Sequence, residues 1–385
     1  MLACSMGGEG HLVPLVNVGR SLQRAGHEAM LLVVPALAPS AKRSGLPYRV
    51  GDEPSRQVVA TVWERVRAGP ADAVVGLMDR ELFGDRCTAA MLPAAREARD
   101  AWRHDLVLRE PCEYASAVAA HEADVPQAQV AISLASVEFD VLGMVAPVID
   151  RFSRGVSAKI GSSPYLSSFP PSLDPSPWSD TRRLRTAQPA DDTAIGWGAG
   201  EEEPLVYVTF GTVLGHLKEA VGVFRTALDA VAGLRARVLL TVGRATDVAD
   251  IGPIPPNTRV EQWVPQRSVL RDAALVVCHG GAGTTFGALG AGVPLVICPL
   301  FADQAQNGEV VQRAGAGVVV ARGSEAAGGL GSLGPSDVAV LRSAIEEVLG
   351  DPAYRVAAGR VGAEVAGLPA LATVIERLVR RDGAM

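Results

Sequence analysis

Five apolar runs without alternation constrain this chain more than any other feature. LVYVTFGT, ARVLLTVG, AALVVCHGG, VPLVICP and AGVVVA follow one another from residue 205 onward, separated by helical stretches. A strand covered on one face alternates apolar and polar residues, whereas a strand buried on both faces reads as a continuous run. The second half is therefore expected to be a parallel sheet wrapped by helices. The first half repeats the logic. A short apolar start meets GGEGHLVP, LVNVGRSLQRAGHE then puts Leu15, Val18 and Leu22 on one helical face, and AMLLVV follows as a strand. DLVLRE and YASAVAAHEADVPQAQVAIS give strand, helix and strand again. At 385 residues the chain exceeds the size at which one core usually stops growing, so two α/β domains are expected, with a single large barrel as the alternative.

Between about 161 and 203 the pattern dissolves into GSSPYLSSFPPSLDPSPWSD, TRRLRT, AQPADD and GAGEEEP. Pro, Ser, Gly and charge suit an extended crossing segment and hinge. The expected boundaries are a first domain over 1–188, a linker over 189–203, a second domain over 204–368, and a C-terminal amphipathic helix over 369–385 whose apolar face needs a neighbour.

The net charge of −6 gives no electrostatic footprint for nucleic acid, and no dense basic block marks a membrane surface. Every apolar run falls short of the roughly 18 residues a spanning helix needs. MLACSMGG lacks the basic and apolar regions of a secretory signal and reads as a first buried strand. Cys4, Cys87, Cys112, Cys278 and Cys298 are odd in number and show neither pairing nor metal spacing, which fits reduced thiols in a cytoplasm. A homodimer is left open.

Chemistry concentrates in CHGGAGTTFGALGAGVPLVICPLFADQAQN, from Cys278 to Asn307. A strand should end at His279, and Gly280, Gly281 and Gly283 should open a helix at Thr284. Amides at a helix start receive phosphate, and glycines let backbone come close, although turn glycines alone fit a purely structural role equally well. There is no G-x-x-x-x-G-K-[ST], and the G-x-G-x-x-G string at Gly329–Gly334 does not directly follow an apolar strand run, as a dinucleotide fingerprint requires. A diphosphate site without a lysine or metal-ligand cluster remains.

EQWVPQ followed by CHGGAGTT, GVPLVICPLFADQAQN and AGAGVVV resembles the donor region of GT-B nucleotide-sugar glycosyltransferases of family 1, and more narrowly the actinobacterial enzymes that attach deoxysugars from dTDP donors to antibiotic aglycones. The resemblance implies two facing Rossmann-like domains with a cleft between them and a C-terminal helix crossing back to the first domain. It implies Trp263 as the stacking surface for the nucleobase, with Val264 and Gln266 beside it. A tryptophan standing alone would read as packing. His279, Gly283 and Thr284 fall on diphosphate positions, Thr212 lies where a hydroxyl approaches phosphate, and Asp303 with Gln304 matches the pair that binds sugar hydroxyls. Many UDP-glucose-using relatives carry a glutamate eight residues after the phosphate histidine, where this chain has Gly287. A 2′-deoxyribose has less need of that carboxylate, so dTDP is the expected donor nucleotide.

The first domain should supply the acceptor site and the base. His11 in GEGHLVP resembles the family's general base, expected in the loop after the first strand, and its ordinary pKa near 6.5 suits proton abstraction at neutral pH. A lone histidine here would read as a capping or surface residue. The orienting acid resembled by position is Glu110, sixteen residues before Pro126, with Glu113 as competitor. Trp63, Met78, Leu82, Phe83 and Met91 are candidates to line the acceptor pocket, though core packing explains any one of them. His27, His104, His121 and His216 take structural or surface roles. The resulting expectation is an inverting, metal-independent hexosyl transfer to a small hydrophobic natural-product aglycone. A GT-B nucleotide-sugar epimerase and a non-catalytic glycosyltransferase-like helper are the alternatives, and a Rossmann oxidoreductase is disfavoured because no glycine fingerprint directly follows a strand run.

Overall fold

The structure, a computed structural model, describes residues 2–5, 8–68, 76–185, 203–212, 214–216, 220–320 and 333–382. The chain divides into two compact units, one of 1–188 with 368–385 and one of 189–367. Residues 189–202 of the expected linker lie outside the described part, as does the side chain of His216.

The first unit holds a seven-stranded sheet, all parallel: β1 (Leu2–Ser5), β2 (Met30–Val33), β3 (Tyr48–Val50), β4 (Val107–Arg109), β5 (Gln127–Val130), β6 (Tyr165–Ser167) and β7 (Thr181–Arg183), in the order β3-β2-β1-β4-β5-β6-β7. The helix Glu9–Arg24 turns Leu15, Val18 and Leu22 into the core, at the spacing the sequence shows. The C-terminal helix Leu371–Asp382 buries Leu371, Val374, Ile375 and Leu378, one face of a 3.6-residue period, and packs on Glu9–Arg24.

The Pro-rich stretch expected as hinge is instead part of this unit over 163–183. Burial and polar pairing hold it where apolar periodicity is lacking. Trp178 stacks on Tyr165, with centroids 4.9 Å apart and planes 7° from parallel, and donates through Nε1 to Ala135 O at 3.1 Å. Buried Asp174 accepts from Arg183 Nη1 at 2.6 Å and from the Ala135 amide at 2.7 Å. Two short strands, β6 and β7, therefore complete the sheet.

The second unit holds six parallel strands: β8 (Leu205–Thr209), β9 (Arg237–Thr241), β10 (Thr258–Glu261), β11 (Ala273–Cys278), β12 (Leu295–Ile297) and β13 (Gly317–Val319), in the order β10-β9-β8-β11-β12-β13. Every residue of β8 and β9 is buried, as continuous apolar runs require. Helices Ala220–Val231 and Val338–Gly350 cover the sheet with Phe224, Leu228, Leu341 and Ile345. Both orders reverse beside the first strand of the unit, which creates a switch point between β1 and β4 and another between β8 and β11. Open α/β sheets bind ligands at the carboxyl ends of strands there.

Candidate active site

At the first switch point the chain places a histidine and a carboxylate. His11 sits in the first turn of Glu9–Arg24 rather than in a loop, because the helix already starts at Glu9 after extended Gly8. Glu110 follows β4 immediately. His11 Nδ1 stands 3.2 Å from Glu110 Oε2, with the histidine side chain 25% exposed and the glutamate fully buried. The same oxygen accepts the Cys112 amide at 2.7 Å. Glu113, the competing acid, accepts the Ser116 amide at 3.0 Å and the Ser116 hydroxyl, so it caps the helix Ala115–Glu122. Ligand atoms of His11, Glu110 and Cys112 lie within 4.8 Å of one another. Burial pushes the Cys112 thiol well above its ordinary range, which makes it a neutral neighbour of the pair.

A π-helix, Gly76–Cys87, brings a further side to this point. Phe83 lies 6.3 Å from the His11 ring, centroid to centroid. Asp79, one turn earlier, is pushed up to about 6 by burial, with the His11 charge acting in the opposite direction. Of the other apolar candidates, Leu82 and Met91 are core residues, while Trp63 and Met78 are half-buried.

The second switch point is built around an imidazole held between glycines. A Cβ added to Gly281 would stand 2.5 Å from His279 Nε2, and one on Gly211 would stand 2.8 Å from it. Gly211 and Gly280 also adopt positive φ, +77° and +92°, and a Cβ on Gly280 would meet Gln304 O at 2.8 Å. Burial pushes His279 down to about 4, partly offset by a backbone hydrogen bond at Thr209, so the ring is neutral at pH 7 and has a single N–H, for which the Thr209 backbone and a ligand oxygen compete. The helix Ala282–Gly290 starts here. Thr284 and Thr285 donate to Gly281 O at 3.1 and 3.0 Å, whereas the amides of Ala282 and Gly283 have no earlier helical carbonyl to reach. Gly283 has open space around it, and Thr212, just after β8, is exposed.

Asp303 precedes the helix Gln304–Arg313 and Gln304 begins it. Gln304 is buried, and its Oε1 accepts the amides of Leu300 at 2.7 Å and Phe301 at 3.0 Å. Only its NH2 group can therefore serve a sugar hydroxyl, a narrower role than the resemblance implies. Asn307 was not singled out in the sequence, yet its Nδ2 donates to Gly280 O at 2.9 Å and to Asp303 Oδ2 at 3.0 Å. This fully buried amide ties the glycine turn to the Asp303 turn. Asn307→Leu should lower stability by roughly 1–3 kcal/mol, read as a drop in melting temperature, because it strands a buried carbonyl.

Trp263 is 47% exposed, which removes plain core packing as its explanation. The Arg244 guanidinium lies 4.7 Å from its ring centroid, a cation–π contact that no local pattern announces. Gln266 Nε2 is buried without a hydrogen-bond partner among the described residues and lies 3.8 Å from where a Cβ on Gly287 would stand. Val264 is half-buried beside them.

Two doubly wound parallel sheets, each with polar groups at its switch point, are the GT-B arrangement, and the chain is a glycosyltransferase of that fold, similar along its length to enzymes of the natural-product type. Residues 225–380 match the family model described as Erythromycin biosynthesis protein CIII-like, C-terminal domain. The chain is 28% identical over 394 residues to L-demethylnoviosyl transferase of Streptomyces niveus, covering 100% of this chain and 99% of that one. It is 29% identical to the elloramycin glycosyltransferase ElmGT of Streptomyces olivaceus, covering 98% and 96%. In fold it is similar to spinosyn rhamnosyltransferase SpnG, with TM-score 0.79, 22% identity and coverage of 98% and 99%, a protein also solved with thymidine diphosphate and with spinosyn aglycone. Among the described residues no helix is long and apolar enough to cross a membrane.

Proposed function

We propose that this chain moves a deoxyhexose from a dTDP-sugar to a hydroxyl of a small hydrophobic aglycone, with inversion at the anomeric carbon. The observation that carries this reading is the His11–Glu110 contact at the first switch point. Glu110 fixes the ring with Nδ1 toward the carboxylate and leaves Nε2 to take the acceptor proton as its oxygen attacks. The imidazolium formed is then stabilised by the buried carboxylate. The complexes of SpnG with thymidine diphosphate and with aglycone support a nucleotide donor and a small acceptor.

Charge developing on the leaving diphosphate meets the Ala282 and Gly283 amides and the neutral N–H of His279, preorganised donors that need no metal. Trp263 stacks the base, Gln266 reaches the ribose, Thr212 and Thr284 supply hydroxyls near phosphate, and Asp303 with the Gln304 amide reads the sugar.

Incubation with dTDP-L-rhamnose, with and without 4-methylumbelliferone as a hydroxylated probe acceptor, tests the reaction. Acceptor-dependent dTDP release with one inverted glycoside per dTDP is expected. A rearranged sugar without acceptor would indicate an epimerase instead. Donor choice has its own test. Gly287→Glu places a carboxylate beside Gln266 and should improve UDP affinity relative to dTDP by roughly tenfold, about 1.4 kcal/mol, in titration calorimetry. An unchanged ratio would remove Gly287 from donor selection.

A further inference from the structure

Arg109, the last residue of β4, has no exposed surface and takes no part in the chemistry described above. Its guanidinium is surrounded by the turn that carries Glu110. Nη1 donates to the carbonyls of Glu110 at 3.2 Å, Pro111 at 3.2 Å and Glu113 at 3.1 Å. Nη2 donates to Gln129 Oε1 at 2.9 Å and Nε to Gln127 Oε1 at 3.4 Å, both side chains on the neighbouring strand β5. The ring of Tyr114 lies 5.6 Å from the guanidinium carbon. The turn itself closes through the Glu113 amide on Glu110 O at 3.1 Å.

Three carbonyls of one tight turn therefore point inward at a single cation. Buried carbonyls without a donor are costly, and so is a buried guanidinium without acceptors, so the turn and the side chain require each other. Glu110 contributes one of those carbonyls and also carries the carboxylate that stands against His11. A shift of its backbone by a fraction of an ångström would swing Oε2 away from Nδ1.

We propose that Arg109 is a positioning residue for the transfer reaction, fixing the Glu110–Glu113 turn so that the Glu110 carboxylate orients His11. This rests on the reading of His11 and Glu110 as base and orienting acid. Arginine suits the task because one planar fork serves the turn and strand β5 together. A lysine ammonium on a flexible stem can meet the carbonyls but cannot also hold Gln127 and Gln129.

The test is a double-mutant cycle in the full chain, with Arg109→Lys, Glu110→Gln and both together. The readouts are kcat with saturating dTDP-L-rhamnose and 4-methylumbelliferone, dTDP affinity, and the melting curve. Glu110→Gln should slow turnover by about 10- to 100-fold, a share of what a general base supplies. Arg109→Lys should slow it roughly 10-fold through misplacement of the acid. The double variant should be no slower than Glu110→Gln alone, and dTDP affinity should hold in all of them. If Arg109→Lys slows the Glu110→Gln enzyme as much as it slows wild type, the arginine does not act through Glu110 and the inference is overturned. Wild-type turnover from Glu110→Gln would instead remove the orienting acid itself, and the inference would fall with it. Should Arg109→Lys fail to fold, Gln129→Leu removes the Nη2 acceptor, keeps the carbonyl bonds, and enters the same cycle with the same expected non-additivity.

Discussion

His11→Ala should lose roughly 10²–10⁴-fold in kcat while binding dTDP as tightly as the wild type, because the proposed base lies on the first unit and the proposed donor contacts on the second. The separation of effects follows from the geometry. His11 stands in the first turn of Glu9–Arg24 beside Glu110, and the residues assigned to the nucleotide follow β8, β10 and β11. Calorimetric titration with dTDP, paired with single-turnover kinetics, separates the two quantities. A variant that retains wild-type turnover would exclude His11 as base, and Asp79 on the neighbouring π-helix would become the group to examine next.

Removing the imidazole from the second switch point should have the next largest effect. His279→Ala is expected to lower kcat by roughly 10²–10³-fold, the usual cost of deleting a preorganised donor to developing negative charge. Gly281→Ala offers a control that keeps the histidine. The φ of −61° at this position accommodates alanine, so the backbone stays unstrained, yet the new Cβ would stand 2.5 Å from Nε2 and must move the ring. Gly281→Ala should therefore retain its melting temperature within a few degrees and lose much of the activity that His279→Ala loses. Full activity in Gly281→Ala would mean that the position of the ring does not matter to catalysis.

The strands legible in the sequence were those buried on both faces. LVYVT, RVLLT and ALVVC announce themselves because helices on either side demand apolar residues at every position. Two edge strands, β3 and β10, escaped the same reasoning. Tyr48–Val50 has exposed Tyr48 and Val50, and Thr258–Glu261 is only half-buried beyond Thr258, so hydrogen bonds to one neighbour define them without an apolar run. The Pro-rich segment read as a hinge because its stability comes from a Trp178–Tyr165 stack and an Arg183–Asp174 pair, contacts that local composition does not reveal. At the site, the family resemblance carried by the quoted motifs pointed to His11, Glu110 and His279, while the glycine-rich turn by itself fitted a structural role equally well. Arg244, Asn307, Asp79 and Arg109 act through tertiary contacts: a guanidinium on Trp263, an amide bridging two turns, a carboxyl delivered by a π-helix, and a cation inside a turn. None has a sequence pattern of its own.

Nucleotide-dependent stabilisation of the purified wild-type chain tests the donor site most directly. Thermal unfolding is followed with dTDP, UDP or NAD each added alone at the same concentration. A ligand at about 100 times its dissociation constant adds roughly 2.7 kcal/mol, visible as a rise of a few degrees. The expected result is a larger rise with dTDP than with UDP and none with NAD. A rise with NAD alone would contradict the reading of the Cys278–Asn307 region as a sugar-nucleotide diphosphate site.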